Sequence, residues 1–133
     1  MMNKLLSIII FFISYSCNQI NKNETDIIKI LVKKVDPNID TSISIDCNTF
    51  QSVFKNEVHL EIINSKSVFF ELDKFLKDSN ESLEKSHVDT RKQIIIYYSN
   101  KNNDTLCVDK FNIILNSKLL KKQTSLKKFL DNL

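Results

Sequence analysis

The chain contains no glycine and no alanine, a single proline, Pro37, and a single arginine, Arg91. Each absence excludes something. P-loops and dinucleotide-binding fingerprints need glycine so that backbone can approach a phosphate, and neither can be built here. Turns that need a left-handed residue fall instead to Asn and Asp, which tolerate that conformation best after glycine. Nucleic-acid surfaces favour arginine forks on phosphate, whereas the basic residues here are almost all lysine. A formal charge of +3 is also too slight for such a surface, so no nucleic-acid partner is expected. Metal sites need three or four converging ligands, and a chain with 2 histidines shows no such spacing. No metal or cofactor is expected, and no internal repeat or low-complexity tract is found.

What the chain does carry begins at its first residues. Lys4 supplies a positive start. Leu5, Leu6, Ile8, Ile9, Ile10, Phe11, Phe12 and Ile13 form an apolar run, and Ser14, Tyr15 and Ser16 lead into Cys17. The run is shorter than the roughly 20 residues that span a bilayer core. It fits the ~7–15 residue core of a secretory signal. Residues 14–17, Ser-Tyr-Ser-Cys, resemble the lipobox of bacterial lipoproteins, in which a small residue precedes an invariant cysteine. Ser14 stands where that family usually has leucine, and Tyr15 is bulkier than usual, so secretion without a lipid is the alternative.

The resemblance implies that residues 1–16 are removed and that Cys17 becomes a lipidated N-terminus. Several acyl chains at ~0.8 kcal/mol per buried CH2 would anchor it stably to a membrane. Asn18, in place of the aspartate that retains some lipoproteins in the inner membrane, implies the outer membrane. The lack of an acidic run after Cys17 implies its periplasmic face. Removing residues 1–16 takes away Lys4 and no acidic residue, so the charge falls from +3 to +2.

Residues 17–24 are polar beyond Cys17 and read as a tether. Residues 25–133 are long enough for one small domain. Ile27, Ile28, Leu31, Val32 and Val35 recur at helical spacing, capped by Thr25 or Asp26 and stopped by Pro37. A strand over 28–32 is the alternative, given the branched residues. Ile43, Ile45 and Cys47 alternate as a short strand, and Asn48 or Thr49 can cap a brief helix lined by Phe50, Val53 and Phe54. Val58, Leu60 and Ile62 alternate with His59 and Glu61 as a second strand. Val68, Phe69, Leu72, Phe75 and Leu76 form a helical stripe, with Asp73 and Lys77 paired on its solvent side.

Residues 78–86 read as a loop, and 93–98 as a central strand apolar on both faces. Leu106 and Val108, then Phe111, Ile113 and Leu115, mark two further strands. Leu126, Phe129, Leu130 and Leu133 form one face of a closing helix capped by Thr124 or Ser125. The expected fold is α+β: a mainly antiparallel sheet of about five strands with helices packed on one face.

Candidate chemistry is sparse. An exported domain permits a Cys47–Cys107 disulfide. Strand alternation argues against it, placing Cys47 with Ile43 and Ile45 but Cys107 opposite Leu106 and Val108, so free thiols are the other reading. His59 with Glu61, or His87 with Asp89 and Arg91, could form polar clusters on extended segments. The ordinary reading of each is a solvated face or a structural ion pair. Lys118, Lys121, Lys122, Lys127 and Lys128 could lean on anionic lipid, or simply form the wet side of the last helix. The chain therefore reads as a small lipid-anchored envelope protein acting as a binding or interaction module, of the partner-binding, inhibitor or immunity type. The alternatives are an envelope hydrolase using a His/carboxylate pair and an accessory subunit of an outer-membrane complex. A histidine and a carboxylate converging in a pocket would favour the hydrolase. An exposed apolar patch would favour a protein partner.

Overall fold

A computed structural model describes residues 26–84 and 87–133. The signal segment 1–16, Cys17 and the tether lie outside the described residues. The chain runs β1 (Ile27–Lys34), α1 (Phe50–Phe54) with a 3-10 turn (Lys55–Glu57), β2 (His59–Ile63), α2 (Lys66–Lys77), β3 (Lys92–Tyr98), β4 (Asn103–Val108), β5 (Ile113–Leu115), β6 (Lys118–Leu119) and α3 (Thr124–Asp131). Among the described residues six strands form one antiparallel sheet in the order β2-β1-β3-β4-β5-β6. The α+β expectation holds, with six strands in place of about five: 27–34 and 118–119 join the sheet and 43–47 does not.

Residues 27–34 are a strand, not the helix their spacing favoured. Ile27 pairs with Tyr98 and Lys29 with Tyr97, so Ile28 is an extra residue, a β-bulge. The bulge shifts the phase, so Ile27 joins Ile30 and Val32 in one core cluster. A three-residue step between core positions, which looks helical in sequence, is here a strand with one residue inserted. Branched side chains and pairing on both edges decide the outcome.

On one face of the sheet lie the two longer helices. Leu72 of α2 and Leu126 and Leu130 of α3 are fully buried against Ile30, Val32, Ile94, Ile96 and Leu106. Each such side chain contributes about 1.5–3 kcal/mol relative to exposure. Phe75 and Phe129, with ring centroids 5.3 Å apart, join the helices. Asp73 and Lys77 pair at 2.6 Å, as their spacing predicts. Gln123, rather than Thr124 or Ser125, stands at the start of α3. At the other end of α3, Lys92 Nζ donates to the Leu130 and Asp131 carbonyls at 2.8 and 3.2 Å, and Lys34 Nζ to the Leu133 carbonyl at 3.2 Å. These cations satisfy carbonyls that a helix end leaves unpaired. Burial lowers the Lys92 pKa. Burial, reinforced by a 2.7 Å hydrogen bond to Asp104, raises that of Tyr98 well above the usual phenol range.

The opposite face receives the 35–54 excursion. Val35, Ile45, Phe50 and Phe54 form a second small core there. Residues 43–47 are irregular, not a strand: Ile45 is fully buried but Ile43 is exposed. Two bonds link Ile45 to the chain ahead of β3, its carbonyl taking the Thr90 N–H at 2.8 Å and its N–H reaching Asp89 at 2.9 Å. Cys47 is bridged to Cys107, with Cα atoms 5.7 Å apart. The alternation argument placed Cys107 correctly, opposite Leu106 and Val108. That face is covered by the excursion, however, so Cys107 is fully buried rather than half-exposed. The positive-φ turn residues are Lys55, Lys101, Asn116 and Ser117, only one of them of the expected Asn or Asp type.

Candidate interaction surface

The polar cluster at the start of β3 is a structural tie. Arg91 Nη2 donates to Asp89 Oδ2 at 2.7 Å and to Thr41 Oγ1 at 2.8 Å, while Asp89 Oδ1 accepts the Ile45 N–H. The guanidinium carbon stands 5.6 Å from the centroid of the Phe54 ring. Arg91 thus fastens the excursion to the end of the sheet. His87 is exposed two residues before Asp89. A groove of about 1060 Å³ at this end includes Lys34, Asp89, Arg91, Lys92 and Asp131 in its wall. Most of its charges are engaged with the protein itself, Asp89 with Arg91, Asp131 with Lys127, Lys34 with Glu61 and Lys92 with helix carbonyls, while Asp40 and Lys110, also in the wall, make no ion pair among the described residues.

His59 and Glu61 do project from one face of β2, as alternation predicts. The carboxylate is taken by Lys34 Nζ at 2.9 Å, not by the imidazole. That hydrogen bond, with the lysine charge, holds Glu61 below the ordinary carboxylate pKa. His59 has no hydrogen-bond partner among the described residues. The C-terminal lysines do not act as one patch. Lys118 pairs with Glu81 at 2.7 Å and Lys127 with Asp131, while Lys121, Lys122 and Lys128 are exposed. Among the described residues no group of three or more His, Cys, Asp or Glu could hold a metal ion, and no helix is long and apolar enough to cross a membrane.

The register exposes a different surface. Directly opposed residues of antiparallel strands share a face. Glu61 opposes Val32, and Ile63 opposes Ile30, so the odd-numbered residues of β2 face the helix layer. Leu60 and Ile62, opposite Lys33 and Leu31, face the other way and are 65% and 61% exposed. The amphipathic sense of β2 is therefore inverted, with His59 and Glu61 on the core side and the aliphatics outward.

Across the sheet this gives one row of Ile62, Leu31, Ile95 and Thr105, and a second of Lys29, Tyr97 and Asn103. Leu31, Ile62, Ile95 and Tyr97 belong to neither core cluster. Lys29 Nζ stands 4.3 Å from the centroid of the Tyr97 ring. The neighbouring row, Lys33, Gln93 and Cys107, is bordered by the excursion through the disulfide, Lys33 to Gln51 at 3.1 Å and Gln93 to the Cys47 carbonyl at 3.2 Å. Half of the open face is thus covered; the other half, with Leu31, Ile95 and Tyr97 half-buried in the sheet, is bare of other described elements. The bare half carries aliphatics, an aromatic and lysine, with no carboxylate in either row.

Sequence reasoning placed Leu60 and Ile62 on one side of a strand, Leu31 on the apolar stripe of a helix, and Ile95 and Tyr97 in a central strand apolar on both faces, without joining them into one surface. The usable signal was the run of apolar residues on both faces of β3, which calls for two covering layers where the chain supplies only one and a half. Comparison with protein-family models, with curated proteins and with solved structures finds no match.

Proposed function

We propose that this chain is an exported, lipid-tethered binding module of the cell envelope that holds a partner protein against the bare half of its sheet. The observation that carries this reading is the inverted β2 strand, which sets the exposed Leu60 and Ile62 on the same sheet face as the half-buried Leu31 and Ile95, all four outside both core clusters of the described residues. Contiguous apolar surface of this kind on a small domain is a usual mark of a protein interface. Lys29 and Lys33 at its margin suit a partner that brings carboxylates. The Cys47–Cys107 bridge fits an oxidising compartment, and so agrees with the signal and the anchoring cysteine. Glu61 and Asp89, each two residues after a histidine, are engaged by Lys34 and Arg91, which favours binding over acid–base chemistry.

The test uses the full chain in its native host. A photo-crosslinking phenylalanine replaces Tyr97 in one variant and Leu83, a fully exposed residue, in another. Position 97 is expected to give a discrete adduct with a second, different protein, and position 83 none. Equal labelling from both positions would sink the reading. The anchor is checked on the same cells: Cys17→Ser should release the protein from the membrane fraction, and retention there would remove the lipid from the proposal.

A further inference from the structure

β2 ends the sheet, and among the described residues no strand pairs with its outer side. Monomeric proteins ordinarily guard such an edge with a lysine, a proline or a bulge, because its unpaired N–H and C=O groups are a template for another strand. His59–Ile63 carries no lysine, proline or bulge, and its one formal charge, Glu61, is held by Lys34 of the neighbouring strand.

We infer that β2 pairs antiparallel with β2 of a second copy, about a two-fold axis through Leu60. Directly opposed residues share a face, so a register that keeps Leu60 and Ile62 outward must be centred on a residue. Centring on Glu61 sets two carboxylates directly opposite each other, which destabilises a pair. Centring on Ile62 sets Glu61 against the copy's Ile63.

Centring on Leu60 sets Leu60 on Leu60, His59 on the copy's Glu61 and Val58 on the copy's Ile62, and the symmetry repeats each unlike pair. The chemistry of both contacts is already prepared. Lys34 bonds Glu61 through Oε2, so Oε1 can accept an N–H from the His59 imidazole, which has no hydrogen-bond partner among the described residues. Val58 packs on the second core cluster, so the copy's Ile62 gains an apolar neighbour that it lacks in the monomer.

Other occupants fit less well. Stacking two open faces would bring Lys29 and Lys33 of both copies together. A hydrocarbon interior cannot satisfy the free backbone groups of an open edge. Edge pairing also leaves the open faces bare and joins them into one continuous floor. The inference goes beyond the partner-binding reading and does not depend on it.

The experiment co-expresses two differently tagged full-length copies in the host and measures their co-purification. Wild-type copies are expected to co-purify. Placing H59E in both copies opposes two carboxylates, and placing E61K in both removes the acceptor that the His59 imidazole would bond, so each should lower recovery about tenfold or more. Combining an E61K copy with an H59E copy should restore it, because the introduced lysine then faces the introduced glutamate while the other cross-strand contact remains the native His59–Glu61 pair. A folding defect cannot produce that pattern, since the restored pair carries the same two substitutions. Absence of co-purification for wild type, or failure of the mixed pair to recover, overturns the dimer. Adducts from position 97 would still stand in that case, and their loss with a normal dimer would fail the other reading alone.

Discussion

Ser117 holds φ at 70°, and Asn116 before it at 46°, between the paired residues Leu115 and Lys118. Two successive positive-φ residues joining paired strands make a hairpin turn of the mirror-image type, where glycine is ordinarily preferred at the second position. A chain without glycine must fill it otherwise. Asn116 compensates through its side chain, its Oδ1 accepting the Thr105 N–H at 2.9 Å and its Nδ2 donating to Asp104 at 2.6 Å. Ser117 has no such bond among the described residues, and an L-residue in this region costs about 1–2 kcal/mol. Ser117→Gly is therefore expected to raise stability by about 1 kcal/mol in urea denaturation. A fall in stability would contradict the turn geometry. Lys55 and Lys101 show why composition alone misassigned the turns. Hairpin and helix-end geometry fixes which position must be left-handed, and the residue that happens to stand there adopts it.

Among the elements, α2, β3 and α3 were legible because each buries a long stripe of one period. β1 was not, because its bulge sets Ile27 and Ile30 three apart on one face and so imitates a helical step. The 43–47 segment failed for a different reason: its alternation is real, but it lies over the sheet rather than in it. β2 was legible as a strand and misleading as to side. Nothing within its five residues says which face meets the helices; that is set by its register with β1. The distinction can be measured. Leu60→Thr with Ile62→Thr should change stability by well under about 1 kcal/mol, because both positions are mostly solvated and threonine keeps a strand-compatible shape. Ile30→Ala, one strand inward on the opposite face, should cost about 2–5 kcal/mol. Comparable losses at the two sites would mean that Leu60 and Ile62 are core residues and that the bare face does not exist.

At the scale of the whole molecule, the α+β architecture was readable from element type and order, whereas the candidate interaction surface was not. That surface is defined by what fails to cover it, and coverage depends on where the 35–54 excursion is stapled. The disulfide does the stapling across a separation of 60 residues. In the chain-entropy model such a closure is worth about 4 kcal/mol, a large share of the roughly 5–15 kcal/mol that a domain has in total. Cys47→Ser with Cys107→Ser is therefore expected to lower the unfolding free energy by about that amount in denaturant titration. A loss under about 1 kcal/mol would show that the second core holds the excursion unaided. The sheet order adds a kinetic consequence. β1 is the first strand of the domain, yet one of its two neighbours is β3, whose residues follow some 60 positions later, and the bridge closes over a similar span. Such non-local pairing makes folding slow, because distant segments must meet before any contact rewards them. A chain of this topology stays open until most of its length is available. If the proposed export holds, β1 would emerge with the edge that meets β3 still open, and the sheet would be completed only on the far side, where an oxidant can join the two sulfurs.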